Sequence, residues 1–425
     1  MRSLGRVFIV VGLVAGTGCG GGGPASGPAT PPPPPPPPPV RTRIPPAPVA
    51  YVAGAVSDVP PPVFGSAPYT LVATALGDHD EDGKVDLAWI AATASTSTTH
   101  ETGSRPGTGA GGFTGDFGGS GVRAAATPFL GVGAVLGAAE EGFVFAVQVT
   151  ATFVSVSTVG YRVSGANRAE VGGAGSFSGT VAGIAAGDLD GDGIDDVVAL
   201  DAAGRRVIGY VSQGEVGLDA AVPSALPAGS GATPTALAVG RFHGATAPAD
   251  VVVALGADGY VLLESEGDGG LVAGDVVPLG GGRSFEALVA GDFDGDGLVD
   301  VAGALATPGG PRRVGTLFGR GDGSFEALVP SDVEAVVGAA AWRDLVAADA
   351  NRDGRSDLLF AIPSLGRAVV LLTDAAGGFG AVTDTDLVGP SSTLSVHDLD
   401  GDGELDLVLG GAAALKVRPL LGARN

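Results

Sequence analysis

The strongest constraint on this chain is a nine-residue pattern that returns five times with its acids in the same places. The first copy is Asp78-His79-Asp80-Glu81-Asp82-Gly83-Lys84-Val85-Asp86. The second sets Asp188, Asp190, Asp192 and Asp196 around Gly193 and Ile194, and the third sets Asp292, Asp294, Asp296 and Asp300 around Gly297 and Leu298. The fourth has Asp349, Asn351, Asp353 and Asp357 around Gly354 and Arg355, and the fifth Asp398, Asp400, Asp402 and Asp406 around Gly403 and Glu404. Their first residues are 110, 104, 57 and 49 apart, so the two longer intervals are about twice the shorter ones. The segments Ala134–Phe145 and Gly240–Val253 fall in the gaps and keep apolar flanks without the acids. Internal periodicity on this scale points to a repeat architecture, here seven units of about 54 residues over 50–425.

Each nonamer lies between short runs rich in Val, Leu and Ile. Leu71–Leu76, Ala287–Ala290 and Leu394–Val396 precede a copy, and Leu87–Ala91, Val197–Leu200, Leu358–Ile362 and Leu407–Leu409 follow one. These are strand lengths, and no segment sustains a helical period. Third strands are expected at Val207–Val211, Val261–Leu263, Val314–Phe318 and Val369–Leu372, with a weaker fourth after a Gly-rich turn. Four short antiparallel strands per unit, seven times over, predict an all-β, seven-bladed β-propeller. The last unit ends one strand short, and the strand-like run Ala50–Val56 is expected to complete it and remove the open edge. A Gly/Thr-rich stretch from Ser95 to Gly121 reads as an insertion.

The chemistry of the nonamer is that of a hard cation. Calcium takes six to eight oxygens, and acids at alternating positions of a tight loop deliver them to one centre. Positions one, three, five and nine supply side-chain oxygens. Position seven, occupied by Lys84, Ile194, Leu298, Arg355 and Glu404, supplies a backbone carbonyl. Glycine at position six permits the left-handed turn that a Cβ resists. An EF-hand requires a bidentate Glu at position twelve, where this chain has Trp89, Ala199, Gly303, Phe360 and Leu409, so that reading is excluded. About five structural calcium ions are expected. Nineteen of the 46 acidic residues are Asp at these positions, which leaves 27 acids against 23 bases. The net charge of −23 is thus mostly a matter of metal, and it excludes non-specific nucleic-acid binding.

The N-terminus is of another kind. Arg2 and Arg6 precede the apolar run Val7–Ala15, too short to span a bilayer and shaped like an export signal. The single cysteine, Cys19, excludes a disulfide framework, and its place after Gly16-Thr17-Gly18 resembles a bacterial lipoprotein signal. That resemblance implies lipidation of Cys19, with 1–18 as the signal. Residues 19–49, including the nine prolines Pro31–Pro39, form a Gly/Pro-rich tether. The expected localisation is exported, as a cell-envelope lipoprotein on the outer membrane or cell surface attached to the membrane through the lipid alone, and otherwise secreted.

The nonamers and the segment Leu317-Phe318-Gly319-Arg320-Gly321-Asp322-Gly323-Ser324-Phe325 resemble the FG-GAP/VCBS repeat, the unit of the integrin α-chain propeller. The resemblance covers 50–425 and implies adhesion, a surface module binding a protein or glycan ligand. None of the four histidines has a nucleophile partner in the sequence, and the chain is expected not to be an enzyme. The alternatives are a lyase-like, polysaccharide-active enzyme on the same scaffold and a structural envelope lipoprotein.

Overall fold

A computed structural model describes residues 50–423, apart from 54–56, 59–68, 79, 81, 94–98, 115–116, 124–128, 138–139, 151, 165–166, 230, 311, 332, 334–341, 375, 387–390 and 412–415. The signal, the tether and Cys19 lie outside the described residues. The described strands form seven antiparallel sheets, five of four strands and two of five. Their first strands are Tyr69–Gly77, Phe129–Gly137, Val181–Gly187, Ala236–Gly240, Ser284–Gly291, Arg343–Ala348 and Ser391–His397. Each of these lies beside the first strand of the next sheet, and Ser391–His397 returns to Tyr69–Gly77, so the series closes. This all-β arrangement is compatible with a β-propeller.

The second strands show why the sequence reads as unbroken apolar runs. In Asp250–Ala254 every residue is buried, yet Val251 and Val253 pack into a core shared with the sheet before, and Val252 and Ala254 into one shared with the sheet after. Leu358, Phe360 and Ile362 face one neighbour, and Leu359 and Ala361 the other. The strand period of two is present but masked, because both faces of a central strand are covered. Trp342 belongs to one of these cores, stacked on Phe360 at 4.3 Å, and Trp89 is buried in another, so neither is a sugar platform.

The N-terminal strand sits where expected. Ala50–Ala53 pairs antiparallel with Lys416–Ala423, Ala50 opposite Ala423 and Ala53 opposite Leu420, and becomes the outer strand of the last sheet. One sequence reading is corrected. The stretch Ser95–Gly121 is no insertion: it contributes Thr99–Arg105 and the start of Phe117–Arg123, the third and fourth strands of the first sheet. Its Thr, Ser and Gly side chains hid it, because they add little apolar surface. Near residue 138 only two residues separate strands Phe129–Gly137 and Glu140–Thr150, which leaves no room for a nine-residue loop.

Candidate metal loops

All five nonamers occupy the same place, between the first and second strand of their sheets. Position nine opens the second strand and is nearly inaccessible, with Asp86, Asp196, Asp300 and Asp357 at 0% exposure and Asp406 at 1%. Its two oxygens staple the loop. One accepts an amide from the end of the third strand or just beyond it: Gly107 to Asp86, Ser212 to Asp196, Gly319 to Asp300 and Thr373 to Asp357, at 2.7–2.8 Å. The other accepts the amide of position two, from Leu189, Phe293, Ala350 and Leu399, at 2.7–3.0 Å.

The remaining acids wind the backbone around themselves. Position one accepts the amide of position six in all five loops at 2.8–3.2 Å. Position three accepts the amide of position five at 3.0–3.2 Å, and position five that of position seven at 2.7–3.1 Å. Glycine at position six has φ between 81° and 90° in every copy, the left-handed region that disfavours a side chain. The spacing of the acids thus fixes the turn.

Four of the loops gather three carboxylates each: Asp78, Asp80 and Asp86; Asp188, Asp190 and Asp196; Asp292, Asp294 and Asp300; Asp398, Asp400 and Asp406. Within each group the oxygens lie within 4.8 Å of one another. Two oxygens each about 2.4 Å from one ion can be no more than about 4.8 Å apart, so these groups could hold a metal ion. Burial is the main cause of the carboxyl shifts, and facing acids add to it. Asp86 and Asp196 are pushed up to about 7, and Asp300 and Asp357 up to about 8. A cation would reverse this by favouring the charged form.

Two features qualify the groups of three. Position five, at Asp82, Asp192, Asp296, Asp353 and Asp402, lies outside them, and its carboxylate accepts the amide of position seven. Among the described residues the Asp349 loop forms no such group, since Asn351 stands at position three. Its Arg355 donates to Asp353, and in the first loop Lys84 donates to Asp82, so position seven brings a cation of its own in both.

The loops also touch across sheets. Ala249 and Ser356 donate their amides to the carbonyls of Asp188 and Asp292, both at 2.6 Å, and Arg352 reaches Glu404 at 3.3 Å. The Gly-rich turn after the third strand packs beside them, closed by the bridges Gly319–Phe325 and Gly107–Phe113. The series Gly107, Gly109, Gly111 and Phe113 has the same spacing as Gly319, Gly321, Gly323 and Phe325, a signal that would have revealed the first sheet's turn.

No protein-family profile and no curated protein matches the chain. Among solved structures, the periplasmic gluconolactonase PpgL of Pseudomonas aeruginosa is similar at 17% identity over 74% of this chain and 85% of that one, with a TM-score of 0.49. The expectation that the chain is not an enzyme is withdrawn, since the similar protein is a gluconolactonase by name. Lack of a familiar nucleophile motif is no sign against catalysis. Among the described residues no helix is long and apolar enough to cross a membrane.

Proposed function

We propose that the chain is an exported, calcium-stabilised β-propeller of seven blades, tethered through Cys19 to the cell envelope, that binds a protein or glycan ligand at the cell surface. The observation that carries the metal part is the fourfold recurrence of three carboxylates within 4.8 Å on equivalent loops. Oxygen-only ligands select a hard cation, and calcium suits a loop that also offers carbonyls. The FG-GAP/VCBS resemblance of the nonamers and of Leu317–Phe325 supports the surface-binding part as an analogy of fold. The test is a screen of glycans and surface proteins against the full chain, in calcium and after its removal. Saturable binding that disappears with calcium supports the proposal, and absence of any ligand in calcium counts against it.

A second reading, a polysaccharide-active enzyme on this scaffold, is favoured by one pair. Asp250, 3% exposed, takes the Ser265 amide on one oxygen at 2.9 Å and His243 Nδ1 on the other at 2.8 Å. A carboxylate only accepts, so Nδ1 carries the proton, and Nε2 faces Glu264 Oε1 at 3.8 Å, an arrangement suited to a general acid–base histidine. The Asp250 partner raises the His243 pKa above its ordinary value. Turnover of a polysaccharide that falls at least a hundredfold in His243→Gln would establish this reading.

A further inference from the structure

The fourth sheet carries a loop built on other donors. Gly187 pairs with Asp196, Gly291 with Asp300 and Gly240 with Asp250, which aligns the loops and places Arg241 at position one and His243 at position three. Arg241 serves the preceding loop, its Nη2 donating to Asp188 Oδ2 at 2.6 Å. His243 stays in its own. Asp250 keeps the position-nine role, with one oxygen on the Ser265 amide at 2.9 Å and the other on His243 Nδ1 at 2.8 Å. A buried carboxylate on one ring nitrogen fixes the tautomer and leaves the lone pair on the other, the support that metal-binding histidines commonly have.

That nitrogen, Nε2, faces Glu264 Oε1 across 3.8 Å, beyond hydrogen-bond reach. Two donors each about 2.0–2.2 Å from one zinc ion stand about 3.4 Å apart at the tetrahedral angle and no more than about 4.3 Å at any angle. The gap fits an ion between them. The turn of the following sheet closes over the ring, with the Gly323 amide on the Phe242 carbonyl at 3.1 Å. A Cβ on Gly323 would stand 2.3 Å from Nε2, so glycine keeps that approach open. The His243 pKa is raised, first by the Asp250 bond and further by Glu264 and by Asp322, which is exposed on the same turn. Arg320 acts on Asp322 and donates to the Phe325 carbonyl at 2.7 Å, so one fixed positive charge stands against three negative ones. We propose that His243 and Glu264 bind a divalent transition-metal ion of the zinc type, at a site separate from the acidic loops. Imidazole suits zinc, whereas calcium takes oxygen. Among the described residues the pair gathers no third ligand within 4.8 Å, so the other positions are open to water or to an oxygen of a ligand. An ion on Nε2 and the free base of the second reading exclude each other.

The test is isothermal titration of the full chain with zinc chloride in excess calcium, which fills any acidic loop that takes it. The wild type should bind a zinc ion that His243→Gln removes. Loss of one partner outside the ligand shell costs about 10–100-fold in metal affinity, so loss of a ligand should cost no less, and Glu264→Gln should weaken this ion by at least about tenfold. X-ray absorption at the zinc edge should show one imidazole among oxygen neighbours. The inference is overturned if the wild type binds no zinc in excess calcium, if either variant binds it as tightly as the wild type, or if the spectrum shows oxygen neighbours alone. Should His243→Gln fail to fold, the spectrum decides together with Glu264→Gln, whose side chain is 59% exposed. Zinc binding at His243 in a chain that takes no calcium upholds the inference while the calcium reading falls, so the two fail separately.

Discussion

Removing the metal should destabilise the protein far more in mild alkali than in mild acid. In an empty loop the buried position-nine carboxyl resists ionisation, so its pKa lies above that of the unfolded chain. The sign follows from that. Such a group leaves stability untouched while both states are protonated, and lowers it as pH rises from about 4 through the folded value. For Asp300, raised from 3.8 to about 8, the penalty above that pH is on the order of 5 kcal/mol at about 1.4 kcal/mol per pH unit. This is an upper figure, because water enters an empty loop. Asp86 and Asp196 behave alike, with values of about 7. Total stabilities are about 5–15 kcal/mol, so two or three empty ionised loops would consume most of the fold's margin. At roughly 2 °C per kcal/mol in a large domain, one loop alone is worth on the order of 10 °C. The assay is thermal unfolding of decalcified and calcium-loaded protein by circular dichroism, at about pH 5 and about pH 8.5. Calcium should raise Tm by tens of degrees at the higher pH and by only a few at the lower. Equal melting with and without calcium at about pH 8.5, or a larger effect at about pH 5, would refute the reasoning.

Deleting residues 50–53 strips the outer strand from the last sheet and exposes the Lys416–Ala423 edge, so Tm should fall and aggregation rise; a deletion variant as stable as the parent contradicts closure by this strand. Gly297→Ala forces a Cβ into φ 84° and should destabilise by about 1–2 kcal/mol, measured by urea unfolding, although nothing lies within 4 Å of the new atom. Leu263→Ala removes a fully buried side chain from the core between the third and fourth sheets and should lower stability by about 2–5 kcal/mol. Asp294→Asn should abolish one bound ion in a calcium titration. In decalcified protein its effect should be small, since an amide oxygen can still accept the Asp296 amide.

Legibility followed the chemistry of the side chains. The nonamers stood out because their acids serve the loop as amide acceptors and, in the proposed function, as a ligand set, and either role demands the same spacing. The second strands were visible as apolar runs, since each is covered on both faces, as in Asp250–Ala254. Thr99–Arg105 and Phe117–Arg123 were missed because Thr, Gly and Ser pair through backbone alone and leave little hydrophobic signal. The departure of position five from the groups of three needed coordinates, since spacing does not tell which way a carboxylate turns. Arg241 and Asp188 are 53 residues apart and meet only across two sheets. The charge inversion itself, Arg241 and His243 for two acids after Gly240, was there to read once the loops were aligned by strand register.

The central claim is that the repeated acids are metal loops set on equivalent positions of a closed ring of sheets. It is tested most directly by anomalous diffraction from crystals of the full chain grown in calcium. The account predicts one peak enclosed by positions one, three and nine of the loops beginning at Asp78, Asp188, Asp292 and Asp398, all on one face of the ring. Acid groups without density, or calcium bound elsewhere on the molecule, would contradict it.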